Sequence, residues 1–444
     1  MTHLPLLERK LSDPIASYKG ELFTTARHIA QAQALSRNLP GEGAVVNLCH
    51  DRYAFALALA AALLAGRTTL LPANRLPATV DDLLREHPDS VAVSEETIDG
   101  LNHRQIDVQA ALSVSDEATR IPSIPADLLA AIVFTSGSTG PSSRVFKPWR
   151  TLHDSAVINA REYGPGPDLT HLVATVPPQH MWGLETTILM PWFAPVVMVS
   201  CQPFFAADVL ELIDEMPRPR ALVSTPVHLR NLTESPEPLV AIDRIYSATA
   251  PLSPNLARRL EADCQGRVTE VYGCSEAGCL AWREPVREQR WHLFKAFRLS
   301  QAGPRYRVEA EHLPEAVTLM DRLKVAADGT FSLEGRDHDL VNIAGKRASL
   351  ASLTQTLLDI DGVLDGIIFQ PPEPGDERVA RLAALVVAPR LTRQELRKAL
   401  AQRIDPAFMP RPLKLVEALP RAESGKLPRQ SLVRLYERVC ETAG

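Results

Sequence analysis

The chain has 444 residues, roughly three times the ~150 that serve as a soft prior for one domain, so two or three domains are expected and a single small binding module is excluded. Apolar residues make up 45% and charged residues 23%, and 22 Gly with 36 Pro keep the chain far from the ~25–30% Gly plus Pro of low-complexity sequences. A net charge of −5 provides no global positive field toward nucleic acid or an anionic membrane, so partners must be read from local sites.

The first ten residues lack the basic-then-apolar pattern of a secretory leader, and the six cysteines form no C-x-x-C pair, so reduced thiols and a cytoplasmic location are expected. In chain order, a mixed helix runs from Phe23 through Arg37, followed by an apolar strand Ala44–Leu48. A small-residue helix Tyr53–Ala65 comes next and then a strand Thr68–Leu71. The run Ala54 to Gly66 is the longest apolar one, and it falls well short of the ~20 residues needed to span a bilayer. The strand signal recurs at Ser90–Val93, Ala130–Phe134, Leu172–Val176, Val196–Val199, Ala221–Ser224 and Arg244–Ser247. This alternation predicts an α/β fold with a largely parallel sheet covered on both faces and ligand sites at the strand C-terminal ends. After about residue 336 charges become denser, and strands Gly366–Phe369 and Leu382–Val387 flank an amphipathic helix Thr392–Arg403 with Thr392 as its N-cap. A large domain over 1–336 and a small α+β domain over 337–444 follow, and residues 390–429 of the latter hold ten Lys/Arg against four Asp/Glu.

Four segments carry chemistry. Ile132 to Pro141 is an apolar strand running into Thr135-Ser-Gly-Ser-Thr-Gly140. Glycines and small hydroxyls let backbone N–H groups converge on phosphate oxygens, so this is a phosphate-loop candidate; a Ser/Gly turn is the alternative. No Lys follows Gly140, so it is not the G-x-x-x-x-G-K-[ST] loop. The second is Val271-Tyr-Gly-Cys-Ser-Glu276, where Tyr272 would offer a ring to a purine, Ser275 a hydroxyl to phosphate and Glu276 a hard oxygen to Mg²⁺. The same residues nearly form a hydrolase nucleophile elbow, which would require a helix after Ser275. The third, Gly335 to Arg347, brackets charges between glycines as a nucleotide-gripping linker or merely a solvated one. The fourth, Leu419 to Arg429, places Lys426 on a turn near the chain end.

In this order and spacing the four segments resemble the adenylate-forming superfamily of acyl-CoA synthetases, aryl acid ligases, adenylation domains and luciferases. The resemblance runs from about Phe23 to Leu432 and includes Pro178-Gln-His-Met-Trp-Gly183 as a His-aromatic substrate motif and Ser247-Ala-Thr-Ala-Pro-Leu252 as an adenine-lining stretch. It implies a large α/β domain with a mobile small domain. ATP and Mg²⁺ are the implied cofactors, and the implied reaction is acid activation followed by acyl transfer to a thiol.

By the same resemblance, Lys426, Glu276 and Thr135 are catalytic and Glu276 holds Mg²⁺. Thr135, Ser136, Gly137, Ser138, Thr139, Gly140 and Ser275 meet phosphate oxygens. Ala248, Thr249, Ala250, Tyr272, Gly273, Asp321, Arg336 and Lys426 complete the nucleotide site. His180, Met181, Trp182, Gly183, Ala248, Thr249, Gly273 and Cys274 line the acid pocket, with a satisfied core histidine as the alternative for His180. Asp337 or His338 would pivot the hinge, His338 standing where the family usually has an aspartate. The usual phosphate-loop lysine is missing, and Arg144 or Lys147 would stand in. The compact length and the Gln-His-Met-Trp-Gly wording look most like ligases of xanthomonadin and aryl polyene pathways, which load a hydroxybenzoate onto an acyl carrier protein. Free coenzyme A is the alternative acceptor for the acyl group.

Overall fold

The computed structural model describes residues 2–101, 103–135, 143–203, 205–336, 339–343, 346–371, 381–422 and 425–441. The mostly parallel, helix-covered strands expected of the α/β fold form two large sheets among the described residues. The first has six strands in the order Ser143–Pro148, Leu129–Thr135, Thr69–Leu71, Val45–Asn47, Val91–Ser94, Gln105–Asp107, parallel except for the first pair. The second has nine: His292–Leu293, Gly278–Arg283, Arg267–Cys274, Arg244–Ser247, Arg220–Ser224, Thr170–Ala174, Val196–Val199, Pro14–Tyr18 and Glu21–Thr24. Its interior is parallel and both edges turn antiparallel.

A helix, Arg52–Leu64, joins the two sheets. Every residue from Arg52 to Leu63 is buried, as expected of a helix that is apolar all round, and it packs on Val45–Asn47 and Thr69–Leu71 of one sheet and Val196–Val199 of the other. Its N-cap Asp51 accepts from the N–H groups of Tyr53 and Ala54 at 2.9 and 3.0 Å. The buried Arg52 guanidinium donates to the carbonyls of Ala174 and Val176 at 3.1 and 3.0 Å, pinning the end of the strand that leads into Gln179 and His180.

After Arg283 the fold becomes small-sheeted, with a three-stranded meander over Arg298–Ala302, Arg305–Glu309 and Val317–Thr318 and a hairpin of Asp321–Val325 with Phe331–Arg336. Beyond it, a sheet of Asp365–Phe369, Ala383–Val387 and Leu413–Leu415 carries helices Leu350–Leu358, Arg393–Ala401 and Arg429–Glu441. Among the described residues, the core cluster around Leu357, Leu385's neighbours Ala384 and Val386, and Leu396 draws on nothing before Val341. Thr392 and Glu395 form the reciprocal cap that the sequence signals at the start of Arg393–Ala401. No helix among the described residues is long and apolar enough to cross a membrane.

Candidate active site

The strand Leu129–Thr135 ends at Thr135, whose backbone pairs with Ser143. Ser136, Gly137, Ser138, Thr139 and Gly140 lie outside the described residues, as do the hinge candidates Asp337 and His338.

One strand position across the second sheet, Arg267–Cys274 doubles back into Gly278–Arg283 through a turn that carries Ser275 and Glu276. A Cβ on Gly273 would stand 2.2 Å from the carbonyl oxygen of Gly278, so no other residue fits the crossing. Because a strand and not a helix follows Ser275, the nucleophile-elbow alternative is ruled out. Glu276 is exposed at the tip, and the described residues contain no cluster of three metal-ligating side chains. A single carboxylate suits Mg²⁺, which keeps waters and takes the rest of its oxygens from a nucleotide.

Tyr272 is half-buried between Trp291 and Phe331, with ring centroids 5.7 and 6.1 Å away, and its hydroxyl donates to Asp321 at 2.9 Å. Two candidates for the nucleotide site are therefore fastened to each other. The backbone of Arg336 pairs with Asp321 across the hairpin. From the neighbouring strand Arg244–Ser247 emerge Ala248, buried, and Thr249, exposed with φ +79°. A positive φ is costly for a β-branched residue and is held here by its surroundings, with Ala250 next in line. Two residues on, the Leu252 N–H donates to Glu270 at 2.8 Å, and Glu270 pairs with Arg283 at 2.6 Å.

On the other side, Met181–Gly183 makes a short helical turn that widens into a π-helical stretch, Leu184–Leu189. A Cβ on Gly183 would lie 2.0 Å from the Pro177 carbonyl oxygen. The Trp182 indole N–H donates to the Ser224 carbonyl at 3.3 Å, and its ring stacks on Tyr163 at 6.5 Å and 28°. Burial, then the cation of Lys426, then that of Arg75 lower the His180 imidazole to about 4, so it is neutral at pH 7. Burial pushes the Cys274 thiol up to about 12, which makes it a packing group and not a nucleophile.

The Lys426 turn completes the convergence. Gly425 has φ +77°, and a Cβ there would sit 3.2 Å from Thr225 Oγ1, at the cap of helix Pro226–Thr233. The turn is closed by Gly425 N–H to Ala422 O and Ala422 N–H to Lys426 O, both 2.8 Å. Arg421 donates to Gly425 O at 2.9 Å and forks onto Asp365 at 2.6 and 2.7 Å. The Lys426 side chain remains exposed.

Of the two stand-in cations, Arg144 is an exposed residue paired with Glu86. Lys147 is 1% exposed and donates through Nζ to the backbone carbonyl of Glu276 at 2.8 Å. Burial lowers its pKa, opposed first by Glu185. Glu185, also 1% exposed, accepts from the Cys279 N–H at 2.8 Å. Sequence reading missed Glu185, Arg75 and Thr225. Arg75 donates to the Cys49 carbonyl at 2.6 Å and to Gln179 at 3.1 Å, against the shoulder of the His180 turn. Only the position of Glu185, two residues past the His-aromatic motif, was a signal; Arg75 and Thr225 carried none.

The AMP-binding enzyme family matches residues 20–296, more than half of the chain. The 3,4-dihydroxybenzoate–[aryl-carrier protein] ligase of Bacillus anthracis is 21% identical over 310 residues, covering 67% of this chain and 72% of that protein. The 4-coumarate–CoA ligase of Rhodobacter capsulatus is 27% identical over 311 residues, covering 67% and 74%. The crystal structure of ATP-bound MatB from Rhodopseudomonas palustris superposes with a TM-score of 0.79 at 18% identity, over 96% of this chain and 97% of that one, and so shares the fold. The chain belongs to the AMP-binding enzyme family and is an adenylate-forming acid ligase.

Proposed function

We propose that the enzyme activates an aromatic, hydroxybenzoate-like carboxylic acid with ATP and passes the acyl group to the phosphopantetheine thiol of an acyl carrier protein in the cytoplasm. The acid's carboxylate oxygen attacks the α-phosphorus, the bond to pyrophosphate breaks, and an acyl-adenylate remains. The thiol then attacks the acyl carbonyl and AMP leaves. Two anions meet in the first step, and preorganised positive charge is what lowers that barrier. Lys426 brings an ammonium to the reacting oxygens, Thr135 and Ser275 contact phosphate, and Tyr272 with Asp321 orients the nucleoside. Glu276 would hold Mg²⁺, which neutralises phosphate charge when bound.

The observation that carries this reading is the seat of the Gly425–Lys426 turn on Thr225, with Lys426 acting on His180. The Gly425 contact with Thr225, and the pull of the Lys426 cation on His180, support delivery of the tail lysine to the acid-pocket candidates. We assign 1–336 to the nucleotide and acid site and 337–444 to a lid that rotates about Asp337 or His338 between the two steps. The Trp182–Tyr163 stack supports a flat acid, and the likeness to an aryl-carrier protein ligase supports a carrier acceptor. The likeness to a CoA ligase favours free coenzyme A as the second reading. Acid-dependent pyrophosphate release across a panel of carboxylic acids tests the first step, and no release with any acid refutes it. Thioester formation on phosphopantetheinylated carrier compared with coenzyme A tests the second; acylation of coenzyme A alone would overturn the carrier assignment.

A further inference from the structure

Lys147 lies on the edge strand Ser143–Pro148, where alternate residues point outward: Phe146 beside it is 55% exposed and Lys147 is 1% exposed. A lysine is almost never fully buried without a partner, because removing an ammonium from water costs several kcal/mol even after relaxation. Its one hydrogen bond in the described structure goes to the carbonyl oxygen of Glu276, at 2.8 Å and 129 residues away in sequence. That carbonyl belongs to the turn between Arg267–Cys274 and Gly278–Arg283. The counter-charge comes from a third element. Glu185 on the π-helical stretch grips the far leg of the same turn through the Cys279 N–H. A Cβ on Gly278 would meet Glu185 Oε1 at 2.3 Å, so the carboxylate lies directly against the backbone of the turn.

We propose that Lys147, with Glu185 as its counter-charge, is the positioning residue that fixes the Glu276 turn and thereby the aim of the Glu276 carboxylate that would hold Mg²⁺. Glu276 itself is exposed at the tip of this turn. One leg of the turn is held by a cation through a carbonyl and the other by an anion through an N–H, so the two side chains clamp it from below without touching nucleotide or metal. Groups behind metal ligands commonly contribute 10–100-fold to metal affinity or activity in this way. The inference rests on the reading of Glu276 given above.

The test is calorimetric titration of ATP into the full-length enzyme with Mg²⁺ and with EDTA, the ratio of the two affinities being the readout. Glu276→Ala should abolish the Mg²⁺-dependent gain; if it does not, the role of Glu276 fails and this inference with it. Lys147→Met/Glu185→Gln removes both charges, keeps an acceptor for the Cys279 N–H and leaves no unpaired buried ion. It should lose about tenfold of the Mg²⁺-dependent gain while ATP affinity in EDTA is unchanged. A wild-type ratio in this double variant, with Glu276→Ala defective, overturns the positioning role alone. Glu185→Gln by itself keeps the Lys147 bond but strands the ammonium, so it should lower stability while losing less of the Mg²⁺-dependent gain than the double variant; a loss equal to the double variant's would show that the carboxylate and not Lys147 sets the turn.

Discussion

Two lysines flank the site and are held in opposite ways. Lys147 is enclosed in the first sheet's edge, spends its ammonium on a main-chain carbonyl and is supported by the charge of the buried Glu185. Lys426 is exposed on a turn near the chain end, whose backbone is held by Arg421, itself paired with Asp365, and by the contact of Gly425 with Thr225. A buried charge can only act on what it already touches, whereas an exposed one on a tethered turn can be delivered and withdrawn. The first arrangement suits holding a part in place, and the second suits charge that is needed in one step and unwanted in the next.

The contrast can be broken by experiment. Lys147→Met alone strands Glu185 as a buried anion and should cost about 3–5 kcal/mol of stability by chemical denaturation, much of it recovered in the double variant with Glu185→Gln. Lys426→Ala should slow acid-dependent ATP–pyrophosphate exchange roughly 10²–10³-fold with stability almost untouched. Acyl transfer from supplied adenylate should survive, and equal loss of both steps would count against the assigned role. Gly425→Ala forces a left-handed residue against Thr225, a backbone cost of about 1–2 kcal/mol, and should slow adenylation without moving Mg²⁺ dependence.

His180 sharpens the comparison by pH. Its folded value of about 4 lies below the ordinary 6.5, so acidification protonates the unfolded chain first. The stability it contributes above pH 6.5 is lost as pH falls from 6.5 toward 4. By NMR titration, Lys426→Ala should raise the His180 midpoint, and Lys147→Met/Glu185→Gln should leave it in place. The smallest effect belongs to Arg144→Ala. An exposed ion pair with Glu86 is worth at most about 1 kcal/mol, and exchange activity should not change.

Much of this was legible in sequence. The helix at Thr392 could be read to its cap, since Thr-x-x-Glu is a local device, and strands Val196–Val199 and Arg244–Ser247 fall where apolar runs place them. Tyr272 and Asp321 were assigned to one nucleotide, and the fold joins them by a hydrogen bond. What sequence did not carry was partition. A parallel strand bears no mark of the sheet it enters, so the assignment of each strand to one sheet or the other was not legible. Lys147 sits between Phe146 and Pro148 and Glu185 between Leu184 and Thr186, and nothing local says that either charge is inside. Their burial follows from strand register and from a π-helical turn, both set by tertiary packing.

The apolar helix Arg52–Leu64 lies between the two large sheets with no face left to solvent. Its run of alanines keeps the layers close, and each layer would expose a bare surface if the other came away. Heat or denaturant should therefore melt both sheets in one transition, and proteolytic nicking should spare this segment until that transition is reached.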